Sequence, residues 1–138
     1  MTGRTGAAPI DLKLLERTRV AVNGDPEFHR LGTSDVRVGL KAGDEAFIVD
    51  FVAFECAAVT AIDLDSLRDA DFYLELTPAA WRNYLAGRAQ GTAPSLVSLD
   101  VDAPNGIVKG SDPLKVLKFD RYHLTLQSFL DKGAQLAA

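Results

Sequence analysis

Twelve consecutive residues, Glu45–Cys56, place apolar side chains on both faces of one long predicted strand. Successive side chains of a strand point to opposite faces. Phe47 and Phe51 therefore share one face, and Ile48 and Val52 share the other. A strand that is apolar on both faces must be covered twice or must line an internal cavity, because water cannot cover either face favourably. The segment predicts a small apolar binding compartment.

Composition limits the class of protein. At 138 residues, with 47% hydrophobic and 25% charged residues, the chain is large enough for one globular domain with its own core. Lys and Arg are scattered and the net charge is −4, so a nucleic-acid partner is not expected. Cys56 is the single cysteine, which excludes an internal disulfide and favours a reducing cytoplasm.

The sequence predicts a short tail before the folded domain and no transmembrane segment. Residues Met1–Pro9 are too polar for a signal peptide and are predicted to form a disordered tail, followed by one domain over residues 10–138. No stretch approaches transmembrane length, so stable membrane insertion is not expected.

Spacing and turn residues predict an α+β fold with helices at both ends. Apolar periodicity and Asp-Pro or Thr-Pro caps predict helices ending near Gly24, Gly32, Gly87 and Gly133. Alternation and Gly turns predict strands over 35–41, 45–56, 57–64, 72–76, 97–101 and 107–109. The last two strands are expected to pair across an Asn105-Gly106 hairpin turn.

Three segments resemble a known family. They are the hairpin Val36–Phe54, the stretch LELTPAAWRNYLAG (Leu74–Gly87) and the stretch NGIVKGSDPLKVL (Asn105–Leu117). Together they resemble the sterol carrier protein type two family of small lipid-binding domains, over roughly Asp35–Leu130. The resemblance implies an approximately five-stranded, mostly antiparallel sheet, covered by helices around an apolar cavity.

Asp50 lies in the middle of the apolar residues of the long strand. An even-length turn at Gly43-Asp44 places Asp50 directly opposite Arg37 on the neighbouring strand. An unpaired carboxylate there would be costly, so a cross-strand ion pair is expected. The alternative is that Asp50 is a polar anchor or general base inside the cavity.

His123 follows the apolar spacing of the last helix and is expected to be buried there with Phe119. It would be either a core histidine or a ligand contact. With Asp50 it could form an acid/base pair, which defines the enzyme alternative: a cofactor-free lyase, isomerase or hydrolase. No metal site is expected. The acidic run over 63–71 lacks the glycine and the final glutamate of a calcium loop, which favours a solvated turn.

The main functional prediction is a protein that binds or carries a small hydrophobic molecule, such as a lipid, a sterol-like compound or an apolar metabolite, without a cofactor. The expected ligand contacts are aromatic residues and one histidine: Phe47, Phe51, Trp81, Tyr84, Phe119 and His123. A third alternative is an accessory or dimerisation module, in which the second sheet face packs on a partner, as in a homodimer.

Overall fold

A computed structural model describes residues 10–31 and 35–138 and confirms the α+β class. The tail predicted over Met1–Pro9 lies outside the described residues. The helices are α1 (Leu12–Asn23), α2 (Pro26–Leu31), α3 (Pro78–Gln90), α4 (Leu96–Asp102), α5 (Pro113–Val116) and α6 (Lys118–Ala137), with a 3₁₀ helix at Leu64–Asp69. The strands are β1 (Val36–Ala42), β2 (Glu45–Val52), β3 (Glu55–Ile62), β4 (Phe72–Leu76) and β5 (Val108–Lys109). Within the described residues, no helix is both long enough and apolar enough to cross a bilayer.

The five strands form one mixed sheet in the order β3-β2-β1-β4-β5. Neighbouring strands are antiparallel except β1 and β4, which are parallel. The predicted register of the first hairpin is confirmed: Arg37 is opposite Asp50, and Val38 is opposite Val49. The two-residue turn at Gly43-Asp44 sets this register, and Gly43 takes a positive φ of 62°.

The prediction of one long strand over Glu45–Cys56 is wrong. The chain reverses at Ala53-Phe54, where Ala53 has a φ of 56°, and β3 begins at Glu55. A two-residue turn of this kind usually contains Gly or Asn, so the sequence gives no turn signal here. The apolar side chains of Val52 and Phe54 are exposed at the turn. They do not extend the buried faces.

Both faces of the remaining strand β2 are nevertheless covered. On one face Phe47, Val49 and Phe51 are buried beneath the helices; Phe51, for example, meets Phe129 of α6 with ring centroids 5.6 Å apart. On the other face Ile48 is buried, and the 3₁₀ helix packs against β2. The strand is therefore covered twice, which is one of the two arrangements that its pattern allowed.

The predicted strand over 97–101 is wrong, since these residues belong to α4. The Ser95 hydroxyl accepts a hydrogen bond from the Ser98 amide and begins the helix. Short apolar alternation cannot separate a strand from a one-sided helix of two turns. The Asn105-Gly106 turn, with a φ of 71° at Gly106, therefore connects α4 to β5 and does not form a hairpin.

The predicted ends of two helices are also wrong. α3 continues past Gly87 to Gln90, and its C-cap is Gly91 with a φ of 77°. α6 continues past Gly133 to Ala137. Gly133 lies where α6 crosses α1: a Cβ added there would be 3.1 Å from the Thr18 hydroxyl oxygen. The glycine allows a close helix–helix contact and does not end the helix.

Candidate functional site

A groove of about 410 Å³ lies on the surface between α3 and the last two turns of α6. Its floor is made of short apolar side chains, and polar groups stand on α3 at either end. The lining residues are Arg82, Leu85, Ala86, Ala89, Gln90, Ala134, Ala137 and Ala138. The groove follows α3 from Arg82 to Gln90, a rise of about 12 Å along a helix.

The groove exists because the facing residues of the two helices are mostly alanines. Where two helices pack through large side chains, the side chains fill the space between them. Here Ala86, Ala89 and Ala137 present only methyl groups, while Leu85 and Ala134 are buried beneath them. The result is a concave apolar strip with the cationic Arg82 at one end, a combination typical of small-molecule sites.

An ion pair next to the groove fixes α3 against α6. Arg88 donates two hydrogen bonds to Asp131, from Nε to Oδ1 and from Nη2 to Oδ2, each 2.8 Å long. A third bond runs from Arg88 Nη1 to the Ala93 carbonyl oxygen at 3.1 Å. The Asp131 carboxylate raises the pKa of Arg88, so the guanidinium remains charged. Such planar, two-point contacts restrain orientation as well as distance.

Two further polar side chains extend this contact. Gln127 donates through Nε2 to the Tyr84 hydroxyl at 2.8 Å and to Asp131 Oδ1 at 2.9 Å. Its Oε1 accepts from the Leu96 amide at 2.7 Å, which attaches the start of α4. Burial raises the pKa of the Tyr84 phenol. The predicted ligand contact Tyr84 thus belongs to a hydrogen-bonded support of the two helices that form the groove.

The other predicted aromatic contacts are buried in the hydrophobic core. Phe51 meets Phe129, Phe72 meets Phe119, and the Trp81 indole donates to the Lys41 carbonyl oxygen at 2.8 Å. Phe47, Phe51, Trp81 and Phe119 all belong to this packed cluster. Phe51 also lines a surface groove of about 440 Å³ at the edge of the sheet. Their role as ligand contacts stays a prediction.

His123 is half-buried, so the expectation of a buried histidine is wrong. The buried face of α6 passes through Tyr122, Leu126 and Phe129, so His123 lies at the edge of that face. Its ring contacts Phe119 with centroids 5.9 Å apart. Within the described part of the chain, no hydrogen bond or ion pair joins His123 to Asp50.

The predicted pairing of Asp50 with Arg37 is confirmed. Arg37 Nε donates to Asp50 Oδ1 at 2.8 Å on the second sheet face. Nearby, Asp71 Oδ2 accepts from the Arg37 amide at 2.9 Å and lies 3.2 Å from Lys118 Nζ. These four charged residues line a second groove of about 440 Å³. Each of these four side chains has a partner of opposite charge, as expected for structural ion pairs.

Cys56 is fully buried, and burial raises the pKa of its thiol to about 12. The Asn23 side chain makes two hydrogen bonds to the Cys56 backbone. Its Nδ2 donates to the Cys56 carbonyl oxygen at 2.9 Å, and its Oδ1 accepts from the Cys56 backbone amide at 2.8 Å. Such a thiol is not a nucleophile. In the described ranges, no group of three or more His, Cys, Asp and Glu side chains is arranged to hold a metal ion.

Comparisons with known proteins add no assignment. No protein-family model matches the chain, and no significant match was found among curated proteins or solved structures. The resemblance to the sterol carrier protein type two family stays a prediction.

The groove residues were missed by sequence reasoning. Alanines at positions 86, 89, 134 and 137 give no signal of a site in the sequence, because alanine has the most favourable helix propensity and is common in helices. The alanines of α3 and those of α6 form one groove only when the two helices pack side by side. The one available signal was the pair Arg88 and Asp131, and opposite charges 43 residues apart are too common to indicate a contact.

Proposed function

We propose that the protein binds or carries a small apolar or amphiphilic molecule, and that the ligand lies in the groove between α3 and α6. The observation that supports this proposal is the combination of an apolar alanine floor with Arg82 at one end. An aliphatic or aromatic body would cover the methyl groups of Ala86 and Ala89. A polar or anionic end would lie near Arg82.

Burial of apolar area would supply the affinity, at about 25 cal/mol per Å². The groove is open on one side, so part of the ligand would remain exposed, and exchange with the surroundings would be rapid. This arrangement suits a protein that transports or buffers a ligand. The same function is implied by the resemblance to the sterol carrier protein type two family, and the groove supports it without depending on that resemblance.

A cytoplasmic location is part of this proposal. A single, buried, unreactive thiol suits a protein that works in a reducing compartment.

A bulky side chain placed in the groove tests the proposal. Ala86 is exposed on α3, so Ala86→Trp would fill the groove without disturbing the core. The matched control is Ala79→Trp, which adds the same indole to an exposed position of the same helix outside the groove. The probe is anilinonaphthalene sulfonate (ANS), an apolar anion whose fluorescence increases when it leaves water.

We expect ANS to bind the original protein and the Ala79→Trp variant with similar affinity, and to bind Ala86→Trp at least tenfold more weakly. Arg82→Gln should weaken binding about twofold to fivefold, because Arg82 is exposed and an exposed ion pair contributes up to about 1 kcal/mol. Equal binding to both tryptophan variants would contradict the proposed site. If the Ala86→Trp variant alone loses binding, native mass spectrometry of the purified protein, with extraction of any bound molecule, would identify the ligand class.

A further inference from the structure

The two ends of the groove between α3 and α6 differ in their electrostatic character. At one end Arg82 is exposed, and its guanidinium takes part in none of the ion pairs found among the described residues. Arg82 also carries the one charged side chain among the residues that line the groove. No lining side chain therefore competes with a ligand for this cation.

The other end of the groove lies at the C-terminus of α3, where backbone acceptors remain open. The carbonyl oxygens of Gly87 and Arg88 accept hydrogen bonds from backbone amides of the following loop. Those of Ala89 and Gln90 accept none from the described part of the chain. Open carbonyl groups at a helix C-terminus carry partial negative charge. This end of the groove therefore favours a hydrogen-bond donor.

Gln90 adds an amide side chain to the same end. It is exposed, lines the groove, and makes no side-chain hydrogen bond within the described ranges. An amide group can both donate and accept, so it can bind a hydroxyl group in either sense. Gln90 follows Arg82 by eight residues, a rise of about 12 Å along the helix. The methyl groups of Ala86 and Ala89 lie between these two polar side chains.

We propose that the groove selects an elongated ligand that is anionic at one end and carries a hydrogen-bond donor, such as a hydroxyl group, at the other. This inference rests on the proposed function, because it names the class of molecule that the groove would bind. The anion would lie near Arg82, the apolar body on the alanine methyl groups, and the donor beside Gln90. An extended chain of about ten carbon atoms spans the distance of about 12 Å between the two ends.

A methyl ether separates a hydrogen-bond donor from polarity in general. The compounds 10-hydroxydecanoate and 10-methoxydecanoate carry the same anion and the same chain, but only the hydroxyl group donates a hydrogen bond. Burial of apolar area alone favours the ether, because it has one more methyl group to remove from water. A hydrogen bond to Gln90 or to the open carbonyl oxygens favours the hydroxyl compound. The order of the two affinities therefore reports whether this end of the groove binds a donor.

The test measures how strongly each compound displaces ANS from the protein. We expect 10-hydroxydecanoate to bind about threefold more tightly than 10-methoxydecanoate, because one hydrogen bond is gained. Gln90→Leu should remove this preference. The matched control is Gln135→Leu, which changes an exposed glutamine of α6 outside the groove and should leave the preference unchanged. Circular dichroism would verify that both variants are folded.

The outcomes separate this inference from the proposed function. If both compounds displace ANS and the ether binds at least as tightly as the hydroxyl compound, the inference is wrong and the groove still binds apolar anions. An unchanged preference in Gln90→Leu, or no displacement of ANS by either compound, would also overturn the inference alone. If displacement is unchanged in Ala86→Trp, the groove is not the site, and the proposed function fails together with the inference.

Discussion

Removing the Asp131 carboxylate should loosen the contact between α3 and α6. Asp131→Ala deletes two 2.8 Å hydrogen bonds to Arg88 and the 2.9 Å bond from Gln127. Fully exposed ion pairs contribute about 0–1 kcal/mol, and hydrogen bonds to charged groups contribute about 1.5–3 kcal/mol when shielded. The Arg88 and Asp131 side chains are 23% and 33% exposed, so the pair lies between these limits. We expect a loss of about 2 kcal/mol in the free energy of unfolding, or about 6 °C in Tm.

Urea unfolding followed by circular dichroism measures this loss. The control is Glu27→Ala, which breaks the Arg30–Glu27 pair on α2, where the side chains are 75% and 74% exposed. That variant should lose no more than about 0.5 kcal/mol. If the two variants lose the same free energy, the reasoning that the Arg88–Asp131 contact holds the helices together is refuted.

Two other predictions concern the second sheet face and the buried thiol. Gly39→Ala should destabilise the fold by about 1–3 kcal/mol in urea unfolding, because the added methyl would lie 2.7 Å from both Leu67 and Tyr73; no loss would mean that the 3₁₀ helix is not packed there. The Cys56 thiol, with its pKa raised to about 12, should react at pH 8 with a disulfide reagent at least about a thousandfold more slowly in the folded than in the unfolded protein. Because that pKa is higher in the folded than in the unfolded state, ionisation of Cys56 leaves the free energy of unfolding unchanged below pH 9 and lowers it as the pH rises toward 12. A Cys56→Ala variant should lack this part of the decrease in the free energy of unfolding at alkaline pH.

Sequence reasoning succeeded where local chemistry decided the structure. Gly43 fixed the first turn, and the alternation of Val36 and Val38 then fixed the register that pairs Arg37 with Asp50. The Thr77-Pro78 start of α3 followed from the same kind of signal, since the Thr77 hydroxyl accepts from the Ala80 amide. Caps and turn glycines act through neighbours in the chain, so they can be read without the fold.

It failed where the structure depends on contacts between distant segments. Ala53 adopts a left-handed conformation that its own side chain does not favour, so the surrounding hairpin must impose the turn. In β3, the register shifts opposite Asp50 and Phe51, which lets Cys56 and Val59 both face the core although they are three residues apart. The alanine groove is a further case, because its shape results from two helices that are distant in sequence.

The most direct test of the ligand groove is an NMR titration of the labelled protein with ANS. We expect the largest changes in amide shift at Ala86, Ala89 and Ala134. The Trp81 indole, which donates a hydrogen bond to the Lys41 carbonyl oxygen inside the core, should change little. Large changes at Trp81 and Phe119 with none along the groove would contradict the account. They would place the ligand instead in an internal cavity between the sheet and the helices.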